Sequence, residues 1–202
     1  MPSGVKFDPR ISAAIRNKDL ESVKRLFSEH PEYLDAYTPF AGGTWLHVAA
    51  SDGNVPIVAH LLDLGMNIDE GDMRDGRSPL VNAAHENYEI AEYLLDRGAA
   101  MDVSLSVRNP LFAAIVGRSA KIAKLLVDRG IDTRVRYNST TMKDMDAVAF
   151  AMMHGTRDIA RLVALHNSGG DEAAAEEAMA EGLRVAHENT VPVPPGEEVA
   201  PS

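Results

Sequence analysis

The seven histidines are the side chains in this sequence best able to ligate a metal or to transfer a proton. No two of them have the i, i+4 spacing, with a glutamate beside it, of a metal-binding helix. The chain also contains no cysteine, so neither a structural zinc site nor a disulfide nor thiolate chemistry is expected. We therefore predict that the chain holds no metal.

A run of acidic residues comprises Asp69, Glu70, Asp72 and Asp75. Its spacing does not match the twelve-residue calcium loop, and a solvated loop is the preferred interpretation. The sequence also lacks the Gly-x-Ser-x-Gly turn of serine hydrolases and the glycine-rich phosphate loop ending in Gly-Lys-Ser/Thr. We expect no catalytic residue and no cofactor, and hence no enzyme.

The composition is that of a globular protein, with 202 residues, 45% of them hydrophobic and 25% charged. This length predicts one domain or at most two small ones. No apolar run approaches the roughly 20 residues of a membrane span, and the N-terminus lacks the apolar stretch of a signal peptide. We expect a cytoplasmic protein, monomeric on its own, that does not bind membranes.

The formal net charge of −10 disfavours binding of nucleic acid and favours a basic protein partner. Residues 169–202 hold eight acids and one base, residues 41–103 hold 11 acids and three bases, and residues 104–136 hold two acids and seven bases. Two interpretations of this uneven charge are open: it only confers solubility, or it forms a bipolar binding surface.

The chain repeats itself with a period near 33 residues, and each copy holds two apolar segments and ends on a glycine. The first segments are Thr44–Ala50, Ser78–Ala84 and Asn109–Ala114, the second are Ile57–Leu62, Ile90–Leu95 and Ile122–Leu126, and the glycines are Gly65, Gly98 and Gly130. Degenerate copies include Ile11–Ile15 at one end and Ala147–Ala151 at the other.

Apolar residues three and four positions apart predict two short helices in each copy. Ser78-Pro79 and Asn109-Pro110 each place a capping residue before a proline at the first helical position. The terminal glycines suit the left-handed residue that ends a helix. One helix pair cannot bury its apolar face alone, so neighbouring pairs must stack.

These segments resemble the ankyrin-repeat family over about residues 8–168. The family signature, Thr-Pro-Leu-His-x-Ala-Ala and then Gly, is matched by Thr44, Leu46, His47, Ala49, Ala50 and Gly53, with Trp45 in place of the proline. The next copy matches at Pro79, Leu80, Ala83 and Ala84, and closes with Leu94, Leu95, Gly98 and Ala99.

The resemblance implies an all-α solenoid of about five helix-turn-helix units joined by finger loops. The units would span about residues 8–36, 44–72, 78–104, 109–136 and 146–168. It also implies a structural role for His47, which would hydrogen-bond the backbone between adjacent repeats. The longer interval from Gly130 to Val148 predicts a long or irregular last finger.

The segment from Asp171 to His187 is rich in alanine and glutamate, which favour helix. Ala175, Met179, Leu183 and Ala186 would share one face, and we predict a capping helix over residues 169–188. A detached arm that folds on a partner is the alternative, and Gly182 weakens either form of the helix. Residues 189–202, with four prolines and no periodicity, are predicted to be a disordered acidic, proline-rich tail.

The resemblance also implies where a partner binds, because ankyrin-like repeats make contacts through finger tips and the exposed ends of first helices. At matching positions, the candidate partner-binding residues are Tyr37, Phe40, Trp45, Ser51, Asp52, Arg74, Asp75, Arg77, His85, Glu86, Arg108, Tyr137, Lys143, Met145, Met153 and His154. Leu105 and Val116 occupy further positions of this kind.

Three of these candidates, Tyr37, Phe40 and Trp45, are aromatic residues within a stretch of nine. Tryptophan and tyrosine are frequent interface anchors, which favours a contact role. For Phe40 and Trp45 the alternative is packing between the first two repeats.

Together these features favour a non-catalytic module that binds and inhibits a partner protein through its concave face. In a sharper form, the chain is an immunity protein or antitoxin that occludes a basic bacterial toxin, since acidic repeats would speed its capture. A regulatory adaptor or inhibitor of an endogenous enzyme or transcription factor is the alternative.

Overall fold

The structure is a computed structural model that describes residues 7–38, 42–139 and 142–190. Within these ranges the chain forms eleven α-helices, two short 3₁₀ helices and one isolated antiparallel bridge. The predicted all-α class with paired helices is confirmed. The chain divides into two compact units, Met1–Ile131 (unit 1) and Asp132–Ser202 (unit 2). None of the described helices is both long and apolar enough to cross a bilayer.

Unit 1 contains four helix pairs, in which a first helix is followed closely by a second helix. The first helices are α1 (Pro9–Arg16), α3 (Trp45–Asp52), α5 (Pro79–Glu86) and α7 (Pro110–Val116), and the second helices are α2 (Leu20–Glu29), α4 (Val55–Asp63), α6 (Tyr88–Asp96) and α8 (Ala120–Asp128). Each first helix packs on the next first helix, and each second helix packs on the next second helix. The 3₁₀ helices Pro31–Asp35 and Ser106–Arg108 lie in the connections between pairs.

Most helices of unit 1 begin where the sequence supplies a capping side chain. The side-chain oxygens of Asp8, Asn54 and Asn109 each accept a backbone N–H from the first turn of the helix that follows. Helices α1, α5 and α7 start on a proline, which is tolerated there because the first N–H has no partner within a helix.

Stacking of the pairs buries one leucine and one alanine at matching positions of three first helices. These residues, none of them accessible to solvent, are Leu46, Leu80 and Leu111, and Ala49, Ala83 and Ala114. Burial of each leucine contributes about 1.5–3 kcal/mol, and the small alanines allow close helix approach. The approach is tightest where α5 and α7 end, since a Cβ on Gly117 would lie 1.6 Å from the carbonyl oxygen of His85.

Unit 2 contains helices α9 (Ala147–Met153), α10 (Arg157–Asn167) and α11 (Glu172–Thr190), and each packs against the other two. The face of α11 differs from the predicted one, because Leu183 is 52% exposed and Gly182 is buried. A Cβ on Gly182 would lie 3.0 Å from the Val148 side chain and 3.2 Å from the Ala149 nitrogen. Glycine here permits close approach of α11 to α9.

The segment before α9 was predicted to be a long or irregular finger. In the structure, backbone hydrogen bonds join Tyr137 to Met145 across this segment. The N–H of Tyr137 donates to the carbonyl of Met145 at 2.9 Å, and the reciprocal bond is 3.0 Å. The Asn189 side chain of α11 accepts the Lys143 N–H at 2.7 Å and donates to the Lys143 carbonyl at 3.0 Å. The predicted tail lies mostly in residues 191–202, outside the described residues.

Candidate partner-binding surface

The finger loops of unit 1 and the C-terminal ends of its first helices form the candidate surface, termed the finger face. The fingers are residues 66–77 and 99–108, together with the described part of 36–43. The predicted contact residues that are exposed on this face are Asp52, Arg74, His85 and Glu86, and those that are half-buried are Tyr37, Ser51, Asp75, Arg77 and Arg108.

Hydrogen bonds between neighbouring fingers fix their positions. The Met73 N–H donates to the carbonyl of Gly42 at 2.9 Å, and Nε of Arg108 donates to the carbonyl of Asp75 at 2.8 Å. Arg77 pairs with the Asp75 carboxylate at 2.7 Å. Arg108 therefore joins two neighbouring fingers, whereas Arg77 braces its own finger, and both residues support the surface as well as forming part of it.

His47 joins the first helix of one repeat to the next repeat. Its Nδ1 accepts the backbone N–H of Thr44 at 3.0 Å, and its Nε2 is 2.8 Å from the carbonyl oxygen of Arg77, to which it donates. Burial lowers the pKa of His47, so the ring stays neutral and can accept one of these bonds while donating the other. The structural role predicted for His47 is confirmed.

The acidic run holds a turn together through Asp72. This carboxylate accepts the backbone N–H groups of Arg74, Asp75 and Gly76 at 2.7–3.1 Å. Burial alone would raise the pKa of Asp72, but these bonds to the charged form outweigh burial and lower it. Among the described residues, no three histidine, aspartate or glutamate side chains are grouped so that they could hold a metal ion.

The oppositely charged stretches of the sequence pair with one another within unit 1. Arg129 pairs with Asp96 at 2.8 Å, and a terminal nitrogen of Arg108 lies 3.9 Å from Asp102. Each pair joins a base of the basic stretch to an acid of the acidic stretch. The separation of charge along the sequence is therefore partly cancelled in space.

Trp45 corrects one predicted contact. It has no exposed surface, stacks on Phe7 with ring centroids 5.4 Å apart and meets the edge of Phe27 at 6.3 Å. Its indole N–H donates to the Tyr33 carbonyl at 2.8 Å. Trp45 is thus a core residue that joins the first repeat to α3, as the alternative interpretation held. Phe40, the neighbouring candidate, lies outside the described residues.

Two predicted contacts in unit 2 are also buried. Met145 has no exposed surface and Tyr137 is 8% exposed. The backbones of these two residues form an antiparallel bridge. Lys143 is exposed, whereas Met153 and His154 are half-buried. A loop position alone therefore did not distinguish exposed residues from core residues here.

Exposed apolar side chains concentrate on the finger face. Met73 is 71% exposed, Leu105 48%, Val107 42% and Val116 45%. The sequence placed Leu105 and Val116 on this surface but did not single out Met73 or Val107. An apolar residue inside a turn-rich acidic run was the available signal for Met73, because loop segments usually run over the protein surface.

Comparison with known proteins agrees with this architecture. Residues 11–106 match the family described as "Ankyrin repeats (3 copies)". The chain is 33% identical over 102 residues to "Ankyrin repeat and SAM domain-containing protein 6" of Mus musculus, across 50% of this chain and 11% of that protein.

Two further mouse proteins show similar likeness. "B-cell lymphoma 3 protein homolog" is 31% identical over 107 residues, across 51% of this chain and 24% of that protein. "Protein phosphatase 1 regulatory subunit 27" is 36% identical over 91 residues, across 45% of this chain and 58% of that protein. In all three alignments the chain covers less than two thirds of its relative's length.

Proposed function

The chain belongs to the ankyrin-repeat family, whose repeats mediate protein–protein interaction, and from this premise we propose that it is a non-catalytic module that binds and inhibits a partner protein through the finger face. The observation that carries the proposal is the concentration there of four exposed apolar side chains, Met73, Leu105, Val107 and Val116. Exposed apolar groups grouped on a rigid scaffold are typical of interaction sites.

The rigidity of the scaffold supports the same proposal. Because Arg108 and Met73 are tied to the neighbouring fingers, the tips pay little conformational entropy when a partner docks. The predicted contacts Asp52, Arg74, His85 and Glu86 add exposed polar side chains to the same face. Protein interfaces usually combine apolar and polar side chains.

Affinity purification of the full chain from the cells that produce it tests the proposal. The double variant Met73→Asp/Val116→Asp should lose the protein that co-purifies with the wild type. Leu64→Asp is the matched control, because Leu64 is 38% exposed at the C-terminal end of α4 and is not one of the finger residues. Equal capture by all three chains, or none by the wild type, would refute the proposal.

In a sharper form, the partner is a basic toxin that the chain neutralises by occlusion, as an immunity protein or antitoxin. The net charge of −10 supports this form, since it would accelerate the encounter with a basic protein. Expression of the captured protein alone should then stop growth of a bacterial host, and co-expression of this chain should restore it. Growth unaffected by the captured protein would exclude the toxin form while leaving the binding module intact.

A regulatory role toward an endogenous enzyme or transcription factor is the second candidate. It is favoured by the likeness to a protein named as a regulatory subunit of a phosphatase. Under this proposal the captured protein would be a housekeeping enzyme or a DNA-binding protein whose activity falls when the chain is added. Unchanged activity of the captured protein at saturating chain would exclude it.

A further inference from the structure

Helices α1, α3 and α5 line a small cleft within unit 1, at the point where the first finger meets the end of α3. The cleft has a volume of ≈ 160 Å³. Its lining residues are Phe7, Ser12, Arg16, Thr38, His47, Val48, Ser51, Asp52 and Asn82. Ligand pockets for whole small molecules hold about 300–1,000 Å³, so this cleft has room for one side chain of a larger partner.

Two hydroxyl groups line the cleft without an internal partner. No side-chain hydrogen bond joins Ser12 or Thr38 to any other described residue, although Thr38 is only 6% exposed. The neighbouring hydroxyl of Ser51 instead accepts from the amide of Asn82 at 3.2 Å. Because neither hydroxyl has a partner among the described residues, both can accept a hydrogen bond from a polar ligand that enters the cleft.

An exposed ion pair forms the rim of the cleft. Nε of Arg16 lies 3.1 Å from Oδ2 of Asp52, and the two side chains are 63% and 44% exposed. Exposed pairs of this kind contribute little stability, so Arg16 is easily exchanged for another cation. Asp52 also ends α3, where the helix dipole disfavours a negative charge, and so the carboxylate gains little from its own helix.

The surroundings of the cleft favour a cation over an anion. Residues 7–131 hold 18 acidic and 13 basic side chains. Glu86 at the end of the neighbouring α5 forms no ion pair with another described residue. The C-terminal ends of α3 and α5 add partial negative charge from their backbone carbonyls.

We propose that this cleft binds a lysine or arginine side chain of the partner protein. The aliphatic stem packs on Phe7 and Val48, and the cationic head replaces Arg16 at Asp52 while the hydroxyl oxygens of Ser12 and Thr38 accept from it. The long stem and charged tip of such side chains suit an apolar floor with a polar rim. The inference rests on the proposed function, because it supplies the chemistry by which the partner is recognised.

Short peptides isolate this recognition from the rest of the interface. The probes are acetylated, amidated tripeptides Ala-Arg-Ala, Ala-Lys-Ala, Ala-Glu-Ala and Ala-Leu-Ala, titrated into the full ¹⁵N-labelled chain and followed by NMR. The arginine and lysine peptides should shift the backbone amides of Ser51, Asp52 and Asn82 saturably, with dissociation constants in the millimolar range. The glutamate and leucine peptides should leave these amides unmoved.

Three variants test which side chains strengthen and which weaken binding of the arginine peptide. Asp52→Asn should weaken binding of the arginine peptide about tenfold, the loss expected when a hydrogen bond to a charged group is removed. Arg16→Gln should strengthen it about threefold, because a competing cation is gone. Glu89→Gln is the control and should change binding less than twofold, since Glu89 is exposed on α6 and does not line the cleft.

Several outcomes would overturn the inference: equal shifts from all four peptides, tighter binding of the glutamate peptide, no binding at all, or an Asp52→Asn variant that binds as well as wild type. These outcomes are separable from failure of the proposed function. A positive titration with no captured partner would count against the proposed module alone, and capture through Met73 and Val116 with no titration would count against the cleft alone.

Discussion

Nε2 of His47 lies 2.8 Å from the carbonyl oxygen of Arg77, thirty residues away along the chain. This bond joins α3 to the finger that follows, and the same ring accepts the Thr44 N–H at its other nitrogen. At the matching positions of the next first helices stand Val81 and Phe112, which cannot make such bonds. His47 is thus a polar tie between the two repeats whose fingers carry much of the finger face.

Replacement of His47 with alanine should destabilise the fold by about 2–4 kcal/mol. The variant leaves the Thr44 N–H and the Arg77 carbonyl without their partner and opens a small cavity. Urea unfolding followed by circular dichroism measures the effect. His85→Ala is the control, because His85 is exposed on α5 and should change stability by no more than about 0.5 kcal/mol. Equal stability of the two variants would contradict the proposed tie.

Stability should fall as the pH drops below about 6.5. Burial lowers the pKa of His47, and burial together with Lys24 lowers the pKa of His60, so both rings are harder to protonate in the folded than in the unfolded chain. Between the lowered folded pKa and the unfolded value near 6.5, the unfolded chain binds more protons. The stabilisation is therefore fully present above the unfolded pKa and is lost as the pH falls toward the folded one.

The free energy of unfolding at pH 7.5, 6.5 and 5.5 checks this dependence. His60→Leu should flatten the slope between pH 6.5 and 5.5, since it removes a titrating ring whose Nε2 is buried without a hydrogen-bond partner among the described residues. A slope identical to that of the wild type would show that His60 does not contribute.

Trp45, the single tryptophan of the chain, gives a direct optical test of its burial. Its ring lies between Phe7 and Phe27 with no exposed surface. The folded protein should therefore emit at short wavelength and resist quenching by iodide, and unfolding in urea should remove both properties. Emission near that of free tryptophan in the folded state would place the ring at the surface, as the anchor hypothesis requires.

The parts of the fold that follow from the repeat could be predicted, because each copy must bury the same positions. Leu46, Leu80 and Leu111 recur at one position in the copies, and all three are fully buried. The ion pair between Asp96 and Arg129 is a second repeated feature that could have been predicted from the sequence. The sequences Asp96-Arg97-Gly98 and Asp128-Arg129-Gly130 place an acid and a base at the same point of successive copies.

What could not be predicted depends on contacts that break the repeat. Trp45 stands where the family has proline, and only the neighbouring Phe7 and Phe27 decide that the ring turns inward. Met145 lies in a finger, yet it forms a backbone bridge with Tyr137 and has no exposed surface. The cleft beside Asp52 arises from three helices and a finger, which no single copy encodes.

Replacement of Gly182 with valine provides a test in which helix propensity and packing predict opposite changes in stability. Valine is a better helix former than glycine and a poorer one than alanine. If propensity decided the outcome, Gly182→Val would stabilise α11 and Ala180→Val would destabilise it. A Cβ at residue 182, however, meets the Val148 side chain at 3.0 Å, whereas Ala180 is exposed on the same helix.

We therefore expect Gly182→Val to destabilise unit 2 by about 1–3 kcal/mol, the cost of overpacking a close helix contact. Ala180→Val should cost only about 0.5 kcal/mol, since it changes an exposed residue. Amide hydrogen exchange in α9, α10 and α11 measures both effects locally. Faster exchange in Gly182→Val than in Ala180→Val would establish that close packing on α9 explains the glycine in the middle of α11. Slower exchange in Gly182→Val than in Ala180→Val would contradict this explanation.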